Sequence, residues 1–259
     1  MKPRTIAIIQ ARMGSKRLPG KVLMDVKGRS LLVYLVERIA RASTLDGIVV
    51  ATTTESRDEV IVKECREHGF PYFRGDETDV LSRYRHAAAA VNAGIIVRVT
   101  ADNPFTDPGS IDHVVTHIAE RRVDYAIEMD LPLGTTAEAL TFEALQFIDS
   151  AADTPEWREH VTLYAKQRPE TLKCAFLQPR PGLARPDLSF TVDHREEYSY
   201  VRELANNFTD PYFSLKNLID TADHYGDGES GRSSDLDRIP SFSNSINVTG
   251  SPQFPVPGV

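Results

Sequence analysis

Three short runs of β-branched residues, spaced with helical patterns between them, constrain this chain most. Residues 5–9 (Thr-Ile-Ala-Ile-Ile) form a continuous apolar run, as do 47–52 (Gly-Ile-Val-Val-Ala-Thr) and 95–99 (Ile-Ile-Val-Arg-Val). Short unbroken runs of this composition suit strands buried on both faces. Weaker strand patterns lie at 72–73, 124–127, 172–177 and 189–192. Between the runs the period changes to that of a helix. Ser30 is placed to cap a helix carrying Leu31, Leu32, Leu35, Val36 and Ile39 on one face. Residues 58–68 stop at Gly69, 78–92 stop at Gly94, and 110–120 carry Ile111, Val114, Val115 and Ile118. Further helices are expected at 141–150, 156–167, 196–207 and 214–221. Strand alternating with helix through the first 120 residues predicts βαβ units. The expected class is α/β: three layers around a mostly parallel, twisted sheet. Ligands in such sheets bind at the carboxyl ends of the strands, so the chemistry should sit in the segments that follow them.

Composition narrows the function classes. The 30 Lys and Arg residues against 37 Asp and Glu give a net charge of −7, which argues against a non-specific nucleic-acid binder. No run approaches the ~20 apolar residues of a membrane helix. The basic start, Met1-Lys2-Pro3-Arg4, precedes too short an apolar stretch for a signal peptide. Two cysteines, Cys65 and Cys174, cannot build a disulfide framework. A cytoplasmic protein with reduced thiols is expected. Two Asn-x-Thr matches, at Asn207 and Asn247, matter only in a secreted chain. From Tyr225 onward the sequence is rich in Gly, Ser, Pro and Asp without apolar periodicity. The expected division is one domain over 1–222 and a low-complexity tail over 223–259.

The segment after the first strand is locally basic in an acidic chain. Residues 12–21 hold Arg12, Lys16, Arg17 and Lys21, with Gly14, Gly20 and Ser15. A loop that brings backbone N–H groups and cations together can cradle phosphate. It matches neither GxxxxGK[ST] nor GxGxxG. Asp102 directly follows the 95–100 run, and Asn103-Pro104 then ends the strand. Asp193 follows the 189–192 run, where it could equally cap the helix beginning near Glu196. Trp157 reads as a packing residue.

From Ala11 to Lys21 the pattern A-R-x-x-S-x-R-L-P-G-K resembles the opening of the cytidylyltransferases that activate acidic sugars, such as CMP-KDO synthetase and CMP-sialic acid synthetase. The resemblance continues through Arg74-Gly75, Asp79-Val80-Leu81-Ser82-Arg83-Tyr84, Arg98-Val99-Thr100-Ala101-Asp102-Asn103-Pro104-Phe105, Glu159-His160-Val161-Thr162 and Thr191-Val192-Asp193. These segments are similar to the SpsF branch of that superfamily, over about residues 5–205.

The resemblance implies a nucleotide-diphospho-sugar transferase fold, GT-A-like and Rossmann-like. It implies nucleotide contacts from Ala11, Arg12, Met13, Ser15, Arg17, Lys21, Arg74, Asp79 and Arg83, with Arg12, Lys21 and Asp102 catalytic. It implies Mg²⁺ held by Asp102 and Asp193, and acceptor contacts from Thr100, Glu138 and His160. The sequence departs from the family after Asp193, where His194-Arg195-Glu196-Glu197 stands in place of a continuation resembling T-P-E-D, so that its Pro and Asp are missing. It also carries Thr100 where CMP-KDO synthetase has Gln. The implied reaction moves CMP from CTP to a small acidic sugar and releases pyrophosphate, and related synthetases imply a homodimer. A phosphate or phosphonate acceptor would use the same loop and Asp pair. A GT-A glycosyltransferase would need a D-x-D after a strand, whereas Asp235-Leu236-Asp237 lies in the tail. A non-catalytic nucleotide-binding subunit would not need Asp102.

Overall fold

A computed structural model describes residues 3–227. The first long strand, β1 (Arg4–Gln10), is buried almost throughout. Its alternate side chains feed two different cores: Ala7 and Ile9 enter one, Ile6 and Ile8 the other. This explains the unbroken apolar run, because a strand covered on both faces has no side for water. β1 pairs in parallel with β4 (Gly47–Thr53) on one side and β6 (Ala93–Thr100) on the other. β5 (Tyr72–Gly75) extends the sheet beyond β4, also in parallel. Beyond β6 lie β8 (Glu138–Thr141), β7 (Tyr125–Glu128) and β9 (Cys174–Leu177). β8 is antiparallel to both its neighbours, and β7 pairs in parallel with β9. The seven-strand order is β5-β4-β1-β6-β8-β7-β9.

Helices cover both faces. α1 (Leu31–Ile39), α2 (Glu59–Glu67) and α4 (Pro108–Arg121) supply one core with Leu35, Ile61, Ile111 and Val114. Ser30 caps α1 as its sequence position predicts, its Oγ accepting from Val33 N–H at 3.1 Å. On the other face α3 (Val80–Ala90) and α5 (Phe142–Ala151) pack Leu81, Tyr84 and Leu145. A third cluster joins the small hairpin β2 (Asp25–Val26) and β3 (Arg29–Ser30) to α8 (Arg195–Asn206) and α9 (Leu215–Asp227). None of the described helices is long and apolar enough to cross a membrane. Cys65 is buried and Cys174 half-buried, and neither is in a disulfide.

The structure corrects several expectations. The helix expected at 156–167 is two short ones, α6 (Pro155–Glu159) and α7 (Leu163–Gln167). Val161, fully buried, turns the chain inward between them. The expected strand at 189–192 is an extended segment that docks on loops instead of joining the sheet. Ser189 bridges Leu133, Phe190 N–H bonds the Leu133 carbonyl, and Val192 N–H bonds the Asp102 carbonyl. α3 ends at Ala90, before the predicted stop at Gly94, which lies in β6. The helix expected at 214–221 extends to Asp227 as α9. The rest of the expected tail, including Asp235-Leu236-Asp237 and Asn247, lies outside the described residues.

Candidate active site

The basic loop leaves the carboxyl end of β1, as the topology rule requires. Ala11 N–H bonds the Ala51 carbonyl at 3.2 Å and continues the sheet for one residue. Met13 then closes the loop. Its N–H donates to Asp58 Oδ1 at 2.8 Å, and its carbonyl accepts Gly20 N–H at 3.2 Å. Gly20 has φ +74°, a left-handed turn that favours glycine, and Lys21 follows directly. Ser15 Oγ accepts Leu18 N–H at 3.3 Å, so this hydroxyl braces the loop. The backbone N–H groups of Gly14, Ser15, Lys16 and Arg17 donate to no acceptor among the described residues. Successive unpaired N–H groups beside cations form an anion-binding concavity.

Lys21 is the buried centre of the site. Its Nζ donates to Asp102 Oδ2 at 2.7 Å, to the Val192 carbonyl at 2.7 Å and to Asp193 Oδ1 at 2.8 Å. An ammonium has three protons, and all three are used. Arg17, itself exposed, pairs with the second oxygen of Asp193 at 2.8 Å. Burial pushes the Asp193 pKa up, but Lys21 and Arg17 outweigh it and hold the carboxyl below its ordinary value. Glu197 accepts the N–H groups of Asp193 and His194, which sets the start of α8. Asp102 and Asp193, far apart in sequence, thus share one cation just beyond the carboxyl end of β6.

Both carboxylates keep a little under one third of their side chains exposed. They are hard oxygen donors within reach of a single ion. Among the described residues no three His, Cys, Asp or Glu side chains cluster as a metal site. A pair of carboxylates fits Mg²⁺, which takes its remaining ligands from phosphate and water.

The other expected residues are placed unequally. Arg12 sits at the rim, 3.6 Å from Glu159 on α6. Thr100 ends β6, its Oγ1 accepting from Asn103 Nδ2 at 2.8 Å. Arg74 is spent on the segment after β4: it donates to the carbonyls of Thr53 and Glu55 and pairs with Glu59. Arg83 is almost fully buried and donates to the carbonyls of Asp76 and Glu77. Asp79 does not pair with Arg83, as its i, i+4 spacing would allow. It caps α3 through Ser82 N–H and takes a two-point contact from Arg158 at 2.9 and 2.5 Å. Glu138 is buried between Lys166 (2.8 Å), Arg98 (3.3 Å) and the Tyr125 hydroxyl (3.0 Å). His160 ends α6 and is partly exposed. Trp157 packs edge-on against Tyr164 and donates to Gln167.

Sequence reasoning missed Asp58, Arg98 and Lys166. Asp58 precedes Glu59 at a helix start, which looks like capping. Arg98 was legible as a charge inside an apolar run, but its partner came from a strand that was not read.

A mostly parallel sheet with a cation-rich, N–H-lined loop after its first strand, set against two carboxylates, is suited to hold a nucleotide's phosphates beside a metal ion. Comparison with known proteins gives the family. The Cytidylyltransferase family profile matches residues 6–224, and the chain belongs to that family. It is 33% identical over 234 residues to the spore coat polysaccharide biosynthesis protein SpsF of Bacillus subtilis, covering 88% of this chain and 98% of that protein. It is 37% identical over 220 residues to an uncharacterized protein of Methanocaldococcus jannaschii, covering 85% of this chain and 90% of that protein. A solved cytidylyltransferase from Leptospira borgpetersenii superposes with a TM-score of 0.82 at 28% identity, covering 89% of this chain and 98% of that one.

Proposed function

We propose that the chain transfers CMP from CTP to a 2-keto, nonulosonic-type sugar acid, with release of pyrophosphate, in the synthesis of a surface polysaccharide. The observation that carries this reading is Lys21 holding Asp102 and Asp193 together at the mouth of the 12–21 loop. The triphosphate lies along that loop. Arg12, Arg17, Lys21 and the unpaired N–H groups of residues 14–17 neutralise its charge. The acceptor hydroxyl attacks the α-phosphorus in line and releases its proton to solvent. An oxygen–phosphorus bond forms as the bond to the β-phosphate oxygen breaks, and pyrophosphate takes that electron pair. Positioning and charge stabilisation supply the rate. Mg²⁺, bound by Asp102 and Asp193 with phosphate oxygens, would polarise the α-phosphate when present.

The acidic acceptor has its own support. Arg98 and Lys166 both contact the single carboxylate of Glu138. These two cations lie together beside β8, Arg98 on the strand β6 that ends at Thr100. Glu138 serves the acceptor by holding these two cations, and Thr100 and His160 are less buried than Glu138. The SpsF relative's connection with spore coat polysaccharide supports a polysaccharide setting.

A pyrophosphate-release assay with CTP and Mg²⁺ tests the proposal. The acceptor panel holds 2-keto sugar acids on one side and phospho- and phosphono-compounds on the other. Release with a sugar acid is expected. Release only with a phosphorylated acceptor would overturn the acceptor assignment, and consumption of a nucleotide-sugar with no use of CTP would overturn the reaction.

A further inference from the structure

Asp58 is fully buried, in the 3-10 turn Ser56–Asp58 that follows β4. Among the described residues no Lys, Arg or His forms an ion pair with it. A buried carboxylate is costly unless its hydrogen bonds are made. Here both oxygens are used for construction. Oδ1 accepts Met13 N–H, and Oδ2 accepts the Thr53 hydroxyl at the end of β4. Thr53 Oγ1 in turn accepts Glu55 N–H at 3.1 Å.

Met13 is the node at which the basic loop closes, because its carbonyl takes the Gly20 N–H. A line of bonded groups therefore runs from β4 through Thr53, Asp58 and Met13 to Gly20 and Lys21. The same clasp bounds the unpaired N–H groups of 14–17: Met13 N–H is tied to Asp58 before them, and Leu18 N–H to Ser15 after them. Gly14 fits beneath the Arg57–Glu77 ion pair, where an added Cβ would lie 3.0 Å from Glu77 Oε1 and 3.2 Å from Arg57 Cζ.

We propose that Asp58 is the positioning residue of the phosphate loop. Through Met13 it fixes where Lys21 stands and keeps residues 14–17 available for phosphate. The proposal rests on the reading of residues 12–21 as the triphosphate cradle. Asp58 touches no reacting atom, and it acts by geometry.

The test uses the full chain and three probes measured by calorimetry with Mg²⁺: CTP, inorganic tripolyphosphate and cytidine. Asp58→Ala should weaken CTP and tripolyphosphate by roughly tenfold to a hundredfold, as loss of buried hydrogen bonds does. Cytidine, which has no phosphate, should bind as it does to wild type. Asp58→Asn preserves the acceptor for Met13 N–H and should stay within about threefold of wild type. Asp58→Ala binding both phosphate probes as wild type overturns the proposal. So does Asp58→Asn falling as far as Asp58→Ala, which would assign the effect to charge and not to the hold on Met13. Equal loss of cytidine overturns it too. If Asp58→Ala fails to fold, Thr53→Val decides, since it removes one support of the carboxylate. Faster amide exchange at Met13 with weaker tripolyphosphate binding supports the clasp, and no change in either overturns it. Lys21→Ala separates the two readings. Unchanged tripolyphosphate binding in that variant sinks the cradle itself, whereas loss there with a wild-type Asp58→Ala sinks only the positioning role.

Discussion

Lys21 cannot touch a phosphate while it holds three acceptors. With Asp102, Asp193 and Arg17 it forms a group whose formal charges cancel. A divalent ion arriving alone must compete with both cations for the carboxylates. A triphosphate changes the contest, because it draws the cations toward itself and releases carboxylate oxygens. Metal and nucleotide should therefore bind with positive coupling, and by linkage each should raise the other's affinity equally. Calorimetry with Mn²⁺ should show weak binding to the free protein and binding about tenfold tighter or more with a non-hydrolysable CTP analogue present. Lys21→Ala should tighten metal-only binding while lowering turnover by roughly 10²–10³. Unchanged metal-only affinity in that variant would contradict the competition. Glu138 gives a prediction of another kind. Burial would raise its pKa, but Lys166 and Arg98 prevail and pull it from 4.5 down to about 2. A carboxylate depressed on folding contributes stability above its unfolded pKa. That contribution is lost as pH falls from 4.5 through about 2. Glu138→Gln should lose this acid-dependent component. At pH 7 it should be less stable by roughly 3–5 kcal/mol, since Arg98 and Lys166 keep their charge without its anion. Urea denaturation at pH 7 and pH 3 checks both, and superimposable acid profiles would refute the assignment.

At the scale of elements, the site depends on how the 189–192 segment is laid against the loop before β8. Gly134 has φ +86°, and an added Cβ would come within 2.8 Å of Thr191 N and 3.0 Å of Phe190 C. Gly134→Ala should cost about 1–3 kcal/mol. It should also lower turnover, because the displaced segment carries Asp193. Thermal melting beside a CTP turnover assay tests this, and a variant with wild-type values in both would show that the close approach is not needed. The same elements show where the sequence was legible. β1, β4 and β6 announced themselves because strands buried on both faces leave an unbroken apolar record. Arg12, Arg17, Lys21 and Asp102 followed from standing just beyond such strands. β8 left no such record: Glu-Ala-Leu-Thr has a single β-branched residue and reads as a helix start. Its strand state comes from β6 and β7 on either side. The 189–192 segment does bury Phe190 and Val192, as alternate residues of a strand would be. What it could not carry was the partner, which is a pair of loops. Asp58 was illegible for the same reason, since its meaning lies in Met13, remote in sequence.

For the molecule as a whole, a net charge of −7 contrasts with the cationic loop of residues 12–21, which the sheet topology sets against Asp102 and Asp193. All proposed site residues fall between Ala11 and Asp193, and the family match ends at residue 224. A chain shortened after Asp227 should thus keep its melting temperature within a degree or two and its CTP turnover within about twofold. A collapse of either would assign residues 228–259 a part in the fold or the site. Transfer of CMP at the α-phosphorus leaves a direct signature. Phosphorus NMR of the full chain with CTP, Mg²⁺ and a 2-keto sugar acid follows every phosphorus atom at once. Equal growth of pyrophosphate and a CMP ester of the sugar is expected, absent in Asp102→Asn. CDP with inorganic phosphate, or an undiminished CTP spectrum with every acceptor offered, would contradict it.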